Sequence, residues 1–278
     1  MRTVRLPDGT EVAALGQGTW HMGDSRRSRT EEADALRVGL DLGMTLIDTA
    51  EMYADGGAEE VVGDAVAGRR AEAFVVSKVY PHNASRSGVA AACDRSLKRM
   101  RIERVDLYLL HWRGRFPLAE TVAGFEDLRA AGKIGAWGVS NLDTDDMEEL
   151  FGVPDGIGCA TDQVLYNPGA RGIEFDLLPW CATRAVPAMA YSPVGQGGAL
   201  LRAPALAAVA RRLGATPAQV AIAWALRQPG LIAIPKAADP AHVRENAAAA
   251  SLRLAPEDLA AIDAAFPPPR RKRGLAML

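Results

Sequence analysis

The 278-residue chain has little of what marks several functional classes. Cysteine occurs three times, as Cys93, Cys159 and Cys181. No CxxC is present, and the odd count and wide spacing exclude a disulfide scaffold and fit reduced thiols. The four histidines (His21, His82, His111, His242) are scattered without ligand spacing, so no metal site is expected. Positive charge is not in excess: 32 Lys and Arg against 34 Asp and Glu give a net charge of −2, which excludes the basic stripe of a nucleic-acid binder. The dense basic run Arg270 to Arg273 reads as a solvated tail. There is no signal-type apolar segment near the N-terminus and no apolar stretch of spanning length, so a soluble, cytoplasmic chain with no membrane partner is expected. No interdomain linker stands out either. One domain over residues 1–278 is expected, with 267–278 as a tail across its surface.

What is present is ordinary globular composition, 49% hydrophobic and 24% charged, arranged in a repeating order. TVRL, PDG and TEVAAL read as a β-hairpin with a Pro-Asp-Gly turn. Eight short apolar runs then alternate with Ala- and Glu-rich helical segments. They are residues 12–16, 44–48, 73–78, 105–111, 134–140, 159–163, 187–192 and 231–236. The helices carry punctuation: Thr30 as cap, Glu31 and Glu32 in a first turn and Gly43 at its end; Thr216, Pro217 and Gln219 open another, and Pro229 and Gly230 stop it. Runs apolar on both faces suit parallel strands covered by helices. The expected fold is a (β/α)8 TIM barrel with the hairpin as a plug, although a doubly wound sheet shares the same periodicity.

In such barrels the reactive groups collect at the C-terminal ends of the strands. The second run ends in Asp48, with Tyr53 five residues later; the third ends in Lys78 and the fourth in His111. Ser140 and Asn141 follow the fifth, Gln163 the sixth, Tyr191 and Ser192 the seventh, and Lys236 the eighth. Polar residues at all of these ends are hard to assign to packing.

The motifs LIDTAEMY, VSK, LLHW, WGVSN, YSP and IPK stand in an order and at a spacing that resemble the aldo-keto reductase family, over nearly the whole chain. The resemblance implies a (β/α)8 barrel that binds a nicotinamide dinucleotide without a GxGxxG loop. It makes Tyr53 a general acid toward a carbonyl oxygen, Lys78 and Asp48 the pair that lowers the Tyr53 pKa, and His111 a neutral donor orienting the substrate. The plainer readings are a rim tyrosine, a solvated lysine and a satisfied core histidine.

By the same resemblance, Gly18 and Thr19 form a first cofactor turn, and Ser140, Asn141 and Gln163 hold the nicotinamide amide with Tyr191 stacked on its ring. Ser192, Val194, Gly195 and Gln196 belong to a pyrophosphate loop, with Asn141 and Ser192 as helix caps the competing reading. Lys236, Ala237, His242, Arg244, Glu245 and Asn246 surround the adenosine end. Ala237 and His242 depart from the family's more usual Ser and Arg, and a guanidinium fork suits a 2′-phosphate better than imidazole does. NADPH is the expected cofactor, with NADH use left open. Trp20, Met52, Tyr80 and Trp112 stand as the substrate wall, or as core. The short link after His111 implies an open pocket, and FPPPRRKRGLAML resembles the tails of bacterial members that reduce methylglyoxal and other short aldehydes. The expected activity is NADPH-dependent reduction of a small aldehyde or ketone by a monomer. The alternatives are a dinucleotide-binding regulatory subunit of the same fold and a phosphate-binding barrel lyase or isomerase.

Overall fold

A computed structural model of the chain describes residues 1–24 and 27–278. The chain opens with an antiparallel hairpin, β1 (Thr3–Arg5) and β2 (Glu11–Ala13). Eight parallel strands follow among the described residues: β3 (Gln17–Gly18), β4 (Leu46–Asp48), β5 (Phe74–Val79), β6 (Val105–Leu110), β7 (Ile134–Ser140), β8 (Asp162–Leu165), β9 (Ala188–Tyr191) and β10 (Leu231–Ile234). They pair in chain order, and β10 returns to β3. Gly16 N donates to Ala233 O at 2.8 Å, Ala233 N to Ala14 O at 2.8 Å and Gly18 N to Pro235 O at 3.1 Å, which closes the barrel. A Cβ on Gly18 would stand 2.8 Å from Ile234 O, so the seam itself requires glycine there.

Successive strand residues face opposite sides. The inward face of the lower barrel is apolar: Leu46, Val76, Leu107, Leu109, Met189 and Ile232 meet Val4, Leu6, Val12 and Ala14 of the hairpin, which plugs that end. Each fully buried side chain of this kind contributes about 1.5–3 kcal/mol. The outward face packs under α1 (Arg29–Asp41), α2 (Gly57–Val66), α3 (Arg86–Met100), α4 (Leu118–Ala130), α5 (Thr144–Gly152) and α6 (Leu177–Thr183). Two helices, α7 (Pro204–Leu213) and α8 (Pro217–Leu226), follow β9, and α9 (Pro240–Ala248) and α10 (Pro256–Ala265) follow β10. Arg212 of α7 pairs with Asp258 of α10. Helix α8 is buried from Val220 to Ala225, as its all-apolar sequence requires.

Two expectations need correction. Residues 12–16 are not one barrel strand: their start belongs to β2, and the barrel strand is the two-residue β3 that follows. The cap of α1 is Ser28 rather than Thr30, because Ser28 is extended and exchanges hydrogen bonds with Glu31 three residues on. The box of Thr216 and Gln219 forms as expected. Among the described residues no helix is long and apolar enough to cross a membrane. Cys93, Cys159 and Cys181 are free, buried thiols.

Candidate active site

The upper barrel carries the same inward face two residues further along each strand, with different chemistry. Asp48 ends β4 and Lys78 lies inward on β5, both buried. The three N–H groups of Lys78 are fully used: Nζ is 2.8 Å from Asp48 Oδ2, 2.9 Å from the Thr49 carbonyl and 3.1 Å from the Tyr53 hydroxyl. The solvated-lysine reading therefore fails. Because Lys78 donates to the Tyr53 oxygen, the phenolic proton of Tyr53 is left to point elsewhere. His111, one residue beyond β6, brings its ring to 5.7 Å from that of Tyr53, edge to face. Its Nδ1 is buried without a partner, which is not the state of a satisfied core histidine.

Burial dominates the electrostatics. It pushes the Tyr53 pKa well above the usual phenol value, and the Asp48 charge adds to the rise. Burial thus outweighs the lowering expected from Lys78, and in the resting protein Tyr53 is held as the phenol. Burial also pulls the imidazole of His111 well below its ordinary value, reinforced by Lys78, so it is neutral at pH 7. Desolvation acts on the ion pair from both sides, raising Asp48 and lowering Lys78, while each charge opposes the shift of the other.

A second polar set adjoins the first through Asp48, whose Oδ1 accepts from Gln163 Nε2 at 2.7 Å. Ser140 Oγ donates to the Gln163 carbonyl at 2.7 Å, and Asn141 Nδ2 to the His111 carbonyl at 3.1 Å. The Tyr191 hydroxyl donates to Asn141 Oδ1 at 2.9 Å. Asn141 (φ 59°) and Ser192 (φ 48°) are both left-handed, an unfavourable state for side-chain-bearing residues and frequent at functional sites. Neither caps the following helix; Asp143 caps α5 and Ala203 precedes α7. Gly195, Gln196 and Gly197 continue the left-handed backbone, and a side chain on Gly197 would meet open space. Thr19 and Gly18 are explained locally: Thr19 Oγ1 donates to the Asp48 carbonyl at 2.9 Å, and Gly18 lies in the seam.

Around this floor the aromatic rings form a continuous wall. Trp20 meets Tyr53 at 4.9 Å, His111 meets Trp112 at 4.9 Å and Trp112 meets Tyr80 at 5.4 Å between centroids. Trp20 stays 38% exposed, and Met52 is half-buried against the apolar layer that includes Tyr53. Lys236, His242 and Arg244 are exposed at the end of β10 and on α9, beside the half-buried Ala237 and Glu245 and the buried Asn246. Arg27 reaches this region from the β3–α1 connection, 3.9 Å from Asp239.

A sequence profile of the aldo/keto reductase family matches residues 14–266. The chain belongs to the aldo/keto reductase family. It is 50% identical to the methylglyoxal reductase YeaE of Escherichia coli, over all of this chain and 99% of the relative, and 32% identical to the glyoxal reductase of Bacillus subtilis, over 94% and 92%. The crystal structure of an aldo/keto reductase from Klebsiella pneumoniae in complex with NADP and acetate superposes with a TM-score of 0.97 at 51% identity, covering 99% of both chains.

Several residues that shape the site of this aldo/keto reductase carry no motif of their own. Thr49 offers the carbonyl that fills the third N–H of Lys78. Glu51, buried, accepts from Tyr80 N at 2.8 Å and Asn83 Nδ2 at 3.0 Å and pairs with Arg95, fixing the loop that carries Tyr80. Asn167 Nδ2 holds the Ser192 carbonyl at 3.0 Å. The signal for Thr49 and Glu51 was their place inside LIDTAEMY; Asn167 lies in a loop with none. The tail is pinned by Lys272, 2.9 Å from Asp176, and its last residue brings main chain beside the Tyr191 hydroxyl.

Proposed function

We propose that this aldo/keto reductase reduces small aldehydes to alcohols with NADPH, Tyr53 giving the proton to the carbonyl oxygen. The observation that carries the reading is the Lys78 ammonium set between Asp48 and the oxygen of Tyr53. The residues fit a nicotinamide dinucleotide: Ser140, Asn141, Gln163 and Tyr191 offer amide and hydroxyl groups around one spot, the backbone at Gly197 faces open space that a phosphate can enter, and Lys236 and Arg244 place cations for a 2′-phosphate, with the imidazole of His242 beside them. That cation set favours NADPH over NADH. When bound, the reduced nicotinamide supplies the hydride. The protein's own part is to orient the carbonyl by the neutral His111, to hold the proton on Tyr53 until the oxygen needs it, and to stabilise the phenolate left behind through Lys78 at 3.1 Å. A buried phenol is a weak acid at rest, which favours reduction: the donor stays protonated throughout the physiological range. The reduction rate is expected to be flat from about pH 6 to 9, well below the pKa of about 10 of a free phenol. The wall of Trp20, Tyr80 and Trp112, with Met52 beside it, makes an apolar mouth suited to a short carbonyl compound such as methylglyoxal.

The test is Tyr53→Phe, followed by loss of reduced-nicotinamide absorbance with methylglyoxal and a panel of short aldehydes. Turnover should drop about 10²–10⁴-fold with NADPH affinity unchanged, the range for losing a general acid. A variant that keeps most of its turnover would remove Tyr53 from this role, and an unaltered protein inactive across the panel would defeat the reading as a whole.

A further inference from the structure

Asp162 opens β8 one residue before Gln163, on the opposite face of the strand. Its register partners Val139 and Ala188 sit in the outer apolar layer, so its carboxyl lies between the barrel and the helices. It is completely buried, and neither oxygen has a full hydrogen-bond partner. No cation faces it. The groups around it are the carboxylates of Asp143 and Asp146 at the start of α5 and the thiols of Cys159, ahead of β8, and Cys181 of α6. Asp143 is offset by Lys272 at 3.5 Å and Asp146 by Arg113 at 3.3 Å. Among the described residues, the donor beside the carboxyl is the main-chain N–H of Leu142. Leu142 follows Asn141, whose left-handed backbone is held by its own N–H to Gln163 O at 2.9 Å.

We propose that Asp162 is a neutral carboxylic acid that receives the Leu142 N–H and braces the Ser140–Asn141–Leu142 turn from behind, a positioning residue for the Asn141 amide. The inference rests on the proposed role of Asn141 in holding the nicotinamide carboxamide. An unpaired carboxylate in an apolar layer, facing two further carboxylates, is too costly to persist, so the group keeps its proton; burial raises its pKa far above the ordinary value for the same reason. Ionisation at alkaline pH sets the new charge against Asp143 and Asp146 across the turn. The turn then loosens, and with it the grip of Asn141.

Two measurements on the full chain, with Asp162→Asn as comparator, test this. The first needs no cofactor. A carboxyl whose folded pKa is raised loses stability as pH climbs from the unfolded value of about 3.9 toward the folded one. The melting temperature of the unaltered protein should therefore fall relative to Asp162→Asn between about pH 5 and 8. Parallel curves would overturn the neutral acid. The second is NADPH affinity by fluorescence titration. The neutral amide should match the unaltered protein at pH 7 and keep its affinity at pH 9 and above, where the unaltered protein weakens several-fold more. Asp162→Val, which offers no acceptor to the Leu142 N–H, should bind NADPH about tenfold more weakly at pH 7, the scale of leaving a buried amide unsatisfied. Equal alkaline weakening in the unaltered protein and Asp162→Asn would remove the positioning role even if the acid is neutral. Absence of NADPH binding at every pH in all forms would instead mark the failure of the functional reading, with the melting curves still deciding the protonation state.

Discussion

The lower and upper halves of the barrel interior are built from the same strands on the same inward face, and they differ in almost every chemical respect. Leu46 is followed two residues later by Asp48, Val76 by Lys78, Leu109 by His111 and Met189 by Tyr191. Below, the face is apolar and closed by the hairpin; above, it is ionic and hydrogen-bonded and opens among the rings of Trp20, Trp112 and Tyr80. Both levels lie on the same paired strands, so the reactive groups are positioned by backbone that the lower level packs against. The cost is that two charges and a neutral imidazole sit where apolar side chains would be more favourable.

The sharpest way to break the contrast is to make the upper level apolar in part. Lys78→Met leaves Asp48 buried without its cation, which should destabilise the fold by about 3–5 kcal/mol at pH 7. Adding Asp48→Leu should recover most of that loss, since an apolar pair of similar volume is close to neutral in stability. Denaturant midpoints of the two variants check this, and the double variant should stay inactive. A Lys78→Met cost below about 1 kcal/mol, the scale of an exposed pair, would mean that water reaches the ion pair after all.

Much of this contrast was legible in the sequence because strand alternation has a period of two and the second to eighth apolar runs each end in, or are followed by, a polar residue. Asp48, Lys78, His111, Gln163 and Tyr191 could be read from that pattern and the family motifs together. The two-residue β3 could not, since a strand that short has no period and its register is set by the seam with β10. Ser28 was readable in principle: Glu31 stands three residues after it, whereas Ala33 stands three after Thr30. The direction of the Tyr53 shift was beyond sequence because charges can be counted there but burial cannot. Asp162 and Asn167 act from behind the site, one from the outer face of a strand and one from a loop, where no periodicity reports.

A truncation in the lower level should give the converse result. Leu107→Ala, among Val76, Ala136 and the hairpin side chains, should cost about 2–5 kcal/mol in unfolding free energy through lost burial and a cavity. NADPH affinity and turnover at 25 °C should hold within about twofold, because sites without shared partners are energetically independent. A parallel loss of turnover would show that the two levels are coupled, and that the plug tunes the chemistry rather than only supporting it.

The smallest effect separates the levels by pH. His111 is buried with its pKa depressed, so the unfolded chain binds a proton there more readily than the folded one. Its contribution is absent well above the unfolded value of about 6.5 and grows as pH falls, subtracting about 1.4 kcal/mol per pH unit until the folded value is reached. His111→Gln keeps an uncharged polar side chain and removes that slope. Its stability relative to the unaltered protein should therefore rise steadily from about pH 6.5 down to 5, while Leu107→Ala keeps a constant deficit over the same range, because it touches no titrating group. If His111→Gln and the unaltered protein lose stability in parallel below about pH 6.5, the imidazole takes up its proton in the folded state as readily as in the unfolded chain, and burial is not what keeps His111 neutral.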